Sequence, residues 1–249
     1  MKYICTSIIL SLFITISSVN AEESVANDII NQKMQAAKEL YKSRKNSSAL
    51  LRAIELWQQV VKIDPKNDIA LTKLTIASVW HGMHADKNQQ QIYEQGIKWG
   101  EKAIKINPKN VEARYWKTAN MGSLGKKRGL LQSLFILKPM EKELKKIIEI
   151  DAKYWRAYML LGMLYREAPG WPISFGDKKE AIKNLKKAVK LMPNAPRALN
   201  ELAKGYLAID EKEQAKQLFK KSIKAPLEKD FELESLKDQQ EAKQLLNKL

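Results

Sequence analysis

Apolar and small residues recur along most of the chain with helical periodicity, and short polar turns separate these stretches. The turns resemble one another: "IDPKN" at 63–67 and "INPKN" at 106–110 are nearly identical. "IDAKY" at 150–154 and "LMPNA" at 191–195 are weaker versions of the same turn. Each turn follows one helical stretch and precedes another. The pattern therefore predicts an all-α fold built as a tandem array of helix pairs.

The clearest helix pairs lie between residues 152 and 226. Small residues let the two helices of a pair pack closely, and large residues fill the gap to the next pair. The positions in the first pair are Ala157, Tyr158, Leu161, Gly162, Tyr165, Ala181, Leu185, Ala188 and Pro193, and those in the second are Ala198, Leu199, Leu202, Ala203, Tyr206, Ala215, Phe219 and Ser222. This spacing resembles the tetratricopeptide repeat, a helix–turn–helix unit of about 34 residues.

The remaining segments fit the same architecture less closely. Two looser units precede residue 111, and region 111–150 keeps helical periodicity without the motif. In that region "LGKKRG" reads as a basic turn, and Pro139 is expected to break or kink the second helix. The tail from Asp230 reads as an amphipathic helix that covers the last unit. We predict one domain over 22–249, a right-handed tetratricopeptide solenoid of about four helix pairs with irregular units and a C-terminal capping helix.

The first 21 residues read as a cleavable signal peptide. Lys2 precedes an apolar run from Ile8 to Ile16, and small residues before Glu22 predict cleavage after Ala21. An uncleaved membrane anchor is the alternative, although the run is short for a span. The chain's single cysteine, Cys5, would leave with the leader. We therefore expect export to a periplasm, with disulfides and cysteine-bound metal excluded.

A closer resemblance rests on several features together: "ARYWKTANMG", a basic turn, a displaced helix pair, a long loop ending in Gly-Asp, and a Leu-rich tail. In these the chain resembles the tetratricopeptide component associated with tripartite ATP-independent periplasmic transporters, and also the regulator of microtubule dynamics family. The first resemblance implies an accessory role in solute uptake. The export signal favours it. That group often carries a lipid anchor, which this sequence does not predict.

The chain is strongly basic, with a formal net charge of +16. Such a charge favours anionic partners, which here are an acidic protein or peptide segment, a small organic acid, or an anionic membrane surface without a spanning segment. Nucleic acid is not expected as a partner of an exported protein. The alternative is that the charge only keeps the surface soluble.

A long loop, Glu167–Gly176, interrupts the best unit with two prolines, Trp171 and Phe175. Asp177 and Glu180 form a D-x-x-E capping box, so the next helix should begin after Asp177. The aromatic residues either pack on the repeat itself, or Trp171 overhangs the groove and helps to hold a ligand.

The repeat geometry also predicts which residues line the concave groove. By motif alignment these first-helix positions are Arg156, Met159, Met163 and Arg166 in one unit and Arg197, Asn200, Lys204 and Leu207 in the next. Tyr115 and Trp171 complete the set of candidate groove residues. Met159 and Met163 could instead pack in the hydrophobic core. The expected groove is basic and adaptable.

Motifs for catalysis are missing from the sequence. There is no phosphate-binding glycine loop, nucleophile elbow or Ser-His-Asp set. His81 and His84 share a helical face, which allows a zinc site or, alternatively, two partly exposed histidines near a helix end. We therefore expect no enzyme activity, no cofactor and no metal.

Two functions remain. The first is a non-catalytic periplasmic scaffold that holds a partner segment in the basic groove. The second is a small-ligand accessory protein for solute uptake. A deep, walled cavity lined by Tyr115, Met159 and Trp171 would favour the small ligand, and an open channel would favour the peptide.

Overall fold

A computed structural model describes residues 24–249, apart from the side chains of residues 130 and 131. The predicted leader, residues 1–21, lies outside the described part. Within 24–249 the chain forms eleven α-helices and no strand. They are α1 (24–42), α2 (Ser47–Ile63), α3 (Asp68–His84), α4 (Gln89–Ile106), α5 (Val111–Arg128), α6 (Leu130–Ile150), α7 (Trp155–Glu167), α8 (Lys178–Leu191), α9 (Pro196–Leu207), α10 (Lys212–Lys224) and α11 (Glu232–Leu246).

The helices pack as consecutive pairs, as expected for a tetratricopeptide solenoid. In the described part there are five pairs, α1–α2 to α9–α10, followed by α11. The sequence predicted about four. The additional pair is α5–α6, because region 111–150 keeps the paired packing even though it has lost the motif. None of the helices described is both long enough and apolar enough to cross a bilayer.

The recurring I-x-P-K-N turn ends one helix and caps the next. Helix α2 ends at Ile63, and the side chain of Asn67 accepts a hydrogen bond from the backbone N–H of Ala70 at 2.9 Å. In the second copy, Asn110 accepts from the N–H of Ala113 at the same distance. Each asparagine satisfies a backbone donor that has no partner within its helix. The repeated sequence therefore has a local physical cause.

The small residues of the best unit lie where the helices touch. Ala181 and Ala188 are fully buried between α7 and α8. A Cβ atom built on Gly162 would lie 2.6 Å from Cγ of Leu185 and 2.9 Å from the carbonyl oxygen of Ala181. Only glycine allows this approach of the two helices. The repeat register proposed from the sequence is confirmed at these positions.

The structure corrects the sequence reading of α5 and α6. Lys126, Lys127 and Arg128 were assigned to a basic turn, but they form the last turn of α5, where positive charge complements the helix dipole. The connection is Gly129, whose φ of 92° favours glycine. Helix α6 continues through Pro139 and is not broken there.

Helix α11 covers the last unit, as predicted. Ala242 is fully buried and packs in one cluster with Ala203, Ala215 and Phe219. Ala203, Ala215 and Phe219 occupy the small and aromatic repeat positions of α9 and α10. Without α11 this surface would face solvent. Burial of this apolar surface stabilises the C-terminal end of the solenoid.

The first half of α11 does more than cap, because it reaches the opposite end of the solenoid. Glu234 forms an ion pair with Arg44, which lies just after α1. Nζ of Lys237 lies 4.4 Å from the centre of the Trp80 ring and 2.5 Å from Nε2 of His84. Trp80 and His84 both belong to α3. Helix α11 therefore joins the last unit to the first along the concave side.

Candidate ligand-binding cavity

The concave side of the solenoid encloses a cavity of about 500 Å³. The inner helices α3, α5, α7 and α9 form one side, α6 contributes to it, and α11 with the segment before it closes the other side. The lining is mainly apolar and aromatic. Its large members include Trp80, Tyr115, Trp116, Trp155, Met159 and Met163.

Aromatic contacts join the two sides of the cavity. Tyr115 meets Trp116 edge to face, with ring centres 5.1 Å apart. Trp116 stacks on Phe231, which lies immediately before α11, at 5.7 Å and an interplanar angle of 12°. Burial raises the pKa of Tyr115, so its phenol stays neutral. The wall contributed by the C-terminal segment is therefore packed against the wall formed by α5.

Arg156 lies at this closure and is paired within the chain. It forms an ion pair with Glu228, and its guanidinium lies 4.6 Å from the centres of the Trp155 and Phe231 rings. Burial raises the pKa of Glu228, although the Arg156 charge opposes the rise. Arg156 thus places a charge on the wall without leaving it unpaired.

Arg197, which also lines the cavity, is more open than Arg156. About half of its side chain, 48%, is exposed, and Nη1 lies 3.4 Å from Oδ1 of Asp238. Burial raises the pKa of Asp238 to about 6, with Arg197 opposing the rise and Glu241 and Glu201 adding to it. A single long contact, with a carboxyl whose pKa is raised, leaves Arg197 able to bind another anionic group.

Five of the ten predicted groove residues line this cavity. They are Tyr115, Arg156, Met159, Met163 and Arg197. Met159 is buried and Met163 is half-buried, so both pack in the core and face the cavity. Repeat alignment therefore located the inner face of α7 and the beginning of α9.

Asn200 and Lys204 were predicted to line the groove, and neither lines the cavity. Asn200 is fully buried and donates a hydrogen bond to the carbonyl oxygen of Asp238 at 2.6 Å. Lys204 pairs with Glu201 at 3.0 Å and with Glu241 at 2.7 Å. Both residues do face the concave side, but α11 covers that side along the last unit.

Arg166 is also outside the cavity lining, although it was predicted to be in the groove. Its guanidinium lies 2.7 Å from a carboxylate oxygen of Glu201 and donates to the Glu201 carbonyl at 3.0 Å. Although burial alone would raise the pKa of Glu201, the charges of Lys204, Arg197 and Arg166 hold it below its usual range. This one buried acid therefore pairs with two of the four cations that the sequence assigned to a basic groove and offsets one of their charges.

Trp171 does not line the cavity. Its side chain is 91% exposed, whereas Phe175 of the same loop packs edge to face on Tyr165 at 5.6 Å. The predicted helix start is confirmed, because Asp177 accepts from the backbone N–H groups of Lys179 and Glu180. The loop therefore packs through Phe175 and exposes Trp171.

The two histidines have other contacts. Nδ1 of His84 lies 2.8 Å from the carbonyl oxygen of Trp80, and the His84 ring stacks on the Trp80 ring at 4.3 Å. Burial lowers the pKa of His81. In the described part of the chain, no group of three or more His, Cys, Asp or Glu side chains is arranged to hold a metal ion.

Sequence reasoning missed the acids that close the cavity. Glu228, Glu234 and Asp238 each pair with a cation from another unit. The sequence does contain one signal for such contacts. Glu234, Asp238 and Glu241 fall on one face of the predicted tail helix, which indicates an acidic face. The sequence could not say which surface this face would meet.

Comparison with protein families gives one match. The model of the family described as "Regulator of microtubule dynamics protein 1-3" matches residues 33–169, a little more than half of the chain. This range covers helices α2 to α7 and most of α1, and therefore most of the cavity. No curated protein matches the chain.

Solved structures share the fold. A thermophilic TPR protein from Thermus thermophilus is 16% identical with a TM-score of 0.63, over 82% of this chain and 98% of that one. MamA from Desulfovibrio magneticus RS-1 is 19% identical with a TM-score of 0.51, over 76% of this chain and 92% of that one. At these identities the likeness concerns the tetratricopeptide solenoid alone.

Proposed function

This chain belongs to the regulator of microtubule dynamics protein 1-3 family, and from its cavity we propose that it is a non-catalytic binding protein for a small, largely apolar ligand with one acidic group. The observation that carries the proposal is the walled cavity of about 500 Å³. Small-molecule sites in proteins are typically apolar concavities of about 300–1,000 Å³ with a few polar groups that fix orientation.

The apolar part of the ligand would lie among the aromatic rings and methionines of α5 and α7. Met159 and Met163 supply flexible, polarizable side chains, which adapt to irregular ligands. Trp116 and Trp155 supply flat apolar surfaces. The cavity therefore suits a ligand whose larger part is hydrocarbon or aromatic.

The acidic group of the ligand would bind Arg197. Its guanidinium is half-exposed and has only one long contact, 3.4 Å, with a carboxyl whose pKa is raised to about 6. A carboxylate or sulfonate offers Arg two acceptors in a plane, which is the geometry that guanidinium binds best. This preference is compatible with the accessory role in solute uptake that the resemblance to the transporter-associated component implies.

The test uses 8-anilino-1-naphthalenesulfonate, an apolar anion whose fluorescence rises in a dry site. We expect saturable binding by the folded protein. Ala119, a half-buried cavity residue of α5, is the position to fill. Ala119→Leu should reduce the affinity at least about tenfold, whereas the matched exposed change Ala36→Leu in α1 should not.

Arg197→Gln tests the polar end of the same site. We expect weaker binding of the sulfonate probe and unchanged binding of a neutral naphthalene probe, because only the first needs the guanidinium. If Ala119→Leu and Ala36→Leu bind the probe equally, the ligand does not enter the cavity and the proposal fails.

A partner segment on the concave side is the second candidate function. The observation in its favour is that α11 itself lies there, with Glu234, Asp238 and Glu241 against Arg44, Arg197 and Lys204. An acidic helix from a partner protein would need to displace α11. Peptides with the α11 sequence should then bind a variant truncated after Ala225, but not the full chain.

Export to a periplasm remains part of the proposal. It rests on the basic start, apolar run and small residues of the first 21 residues. Mass spectrometry of the protein from an envelope fraction should find Glu22 as the new N-terminus. An uncleaved chain in the membrane fraction would argue for the anchor instead.

A further inference from the structure

The 167–176 loop exposes large apolar side chains. Trp171 is 91% exposed and Ile173 is 69% exposed. Phe135, in the first turns of the neighbouring α6, is 83% exposed. Single exposed apolar residues are common on proteins, but two large ones close together on one short loop indicate a surface for interaction.

The loop is held firmly at its base, so the exposure has a structural cause. The N–H of Gly176 donates to the carbonyl oxygen of Pro169 at 2.8 Å, and the N–H of Asp177 donates to that of Tyr165 at 2.9 Å. A Cβ atom on Gly176 would lie only 2.0 Å from the carbonyl oxygen of Ala168. The loop thus closes on itself and directs Trp171 outward.

Two lysines contact residues of this loop. Nζ of Lys138 lies 4.3 Å from the centre of the Phe175 ring, and its side chain is 71% exposed. Lys126, 70% exposed, lies 3.3 Å from Glu167 at the start of the loop. Lys127, next in the chain, is also exposed. Exposed lysines therefore lie at both ends of the loop, each also paired with a carboxylate, Glu167 or Glu141, on a chain whose formal net charge is +16.

We propose that Trp171 and Ile173 dock the protein on the surface of an anionic lipid bilayer, with Lys126 and Lys138 near the headgroups. Tryptophan is favoured at the boundary between headgroups and hydrocarbon, and the lysines complement anionic lipid. This combination fits a bilayer better than a protein partner, because it needs no complementary pocket. The inference does not require the cavity to hold a ligand, although Lys126 and the first residues of the loop also line the cavity.

The experiment measures co-sedimentation of the full mature chain with vesicles of equal parts phosphatidylcholine and phosphatidylglycerol. We expect Trp171→Ala with Ile173→Ala to lower the partition coefficient by about tenfold or more, because both side chains lose their apolar contact with lipid. The matched control is Leu51→Ala with Ile69→Ala, two exposed apolar residues of the first helices, and it should bind like the unmodified chain.

The charge is tested separately. Lys126→Gln with Lys138→Gln should weaken binding to anionic vesicles severalfold and leave binding to pure phosphatidylcholine unchanged. Lys186→Gln with Lys220→Gln, two exposed lysines elsewhere, is the control. Circular dichroism checks that each variant stays helical. Lys126 also lines the cavity, so sulfonate-probe binding is compared for the loop variant and for Lys138→Gln alone, and both should leave it unchanged.

Three results would overturn the proposal. The first is equal vesicle binding by the loop variant and the unmodified chain. The second is that the intact chain does not bind anionic vesicles. The third is that the loop variant changes the molar mass measured by light scattering, while vesicle binding is absent. That last result would assign Trp171 to an interface between protein chains.

Discussion

Asp238 is the residue whose ionisation reports most directly on how α11 is docked. Burial raises its pKa to about 6, so the folded state holds the proton more tightly than the unfolded state does. The stability gained from the protonated carboxyl is therefore fully present below about pH 4 and lost as the pH rises through about 6.

We therefore expect Asp238→Asn to change the pH dependence of unfolding. Asn cannot ionise, so the variant should gain stability relative to the unmodified chain between about pH 5 and about pH 7, on the order of 1–2 kcal/mol. Arg197, Lys204, Glu201 and Glu241 surround the site in both proteins, so their contributions largely cancel. Urea unfolding at both pH values measures the difference. If the free energy of unfolding changes with pH equally in the variant and the unmodified chain, folding does not raise the pKa of Asp238.

Ala188 tests the packing of the best repeat unit. It is fully buried in a cluster with Trp155, Leu185 and Ala198. Ala188→Leu should overpack this contact and lower the free energy of unfolding by roughly 1–3 kcal/mol. Ala36→Leu, on an exposed face of α1, should leave it nearly unchanged. Equal thermal stability of the two variants would contradict the repeat register.

At the residue scale, the sequence predicted positions that depend on repeat geometry. Met159 and Arg197 line the cavity because the inner face of a first helix is determined by local spacing. Asn200 and Lys204 occupy equivalent positions in the next unit, yet α11 covers them. Whether these two residues are covered depends on a segment more than thirty residues further along the chain, and a single sequence contains no signal for that contact.

At the scale of elements, α11 has two different attachments. Its second half is held by apolar packing around Ala242. Its first half is held by charged contacts with the first unit, above all between Glu234 and Arg44. The side chain of Arg44 is only 2% exposed and also lies against the rings of Tyr41 and Trp80. Loss of Glu234 would leave the Arg44 charge buried and unpaired, which would destabilise this contact.

Glu234→Gln should therefore release the first half of α11 while the second half stays docked. Loss of one partner of a buried ion pair costs about 3–5 kcal/mol, because the other charge is left buried and unpaired. Hydrogen exchange should become faster over the first turns of α11 and around Trp80. Glu241→Gln is the control, since Glu241 is 42% exposed and such pairs contribute about 0–1 kcal/mol. Equal exchange in both variants would contradict this account.

The helix pairs themselves could be predicted because their causes are local. Helix periodicity, the I-x-P-K-N caps and the small residues all act within about forty residues. The pair α5–α6 lacked the motif and was therefore not counted as a unit, although its helical periodicity was visible. The contact of α11 with the first unit joins residues 190 positions apart, Arg44 and Glu234. Nothing local in the sequence specifies it.

On the scale of the whole molecule, α11 changes what a tetratricopeptide solenoid can bind. Without it, the inner helices would present an open channel. With α11 and the segment before it, contacts at Trp116, Arg156 and Trp80 close the concave side around about 500 Å³. The same contacts place acids against Arg44, Arg156 and Arg197. The net positive charge of the chain therefore lies largely outside the cavity.

The measurement that tests the central claim most directly is native mass spectrometry of the mature protein purified from its own source, followed by denaturation. The account predicts a small molecule bound one to one, released on unfolding, and rich in carbon with one acidic group. Ala119→Leu should carry much less of it, and Ala36→Leu as much as the unmodified chain. A bare chain mass for the unmodified protein, or equal loading of Ala119→Leu, would contradict the account.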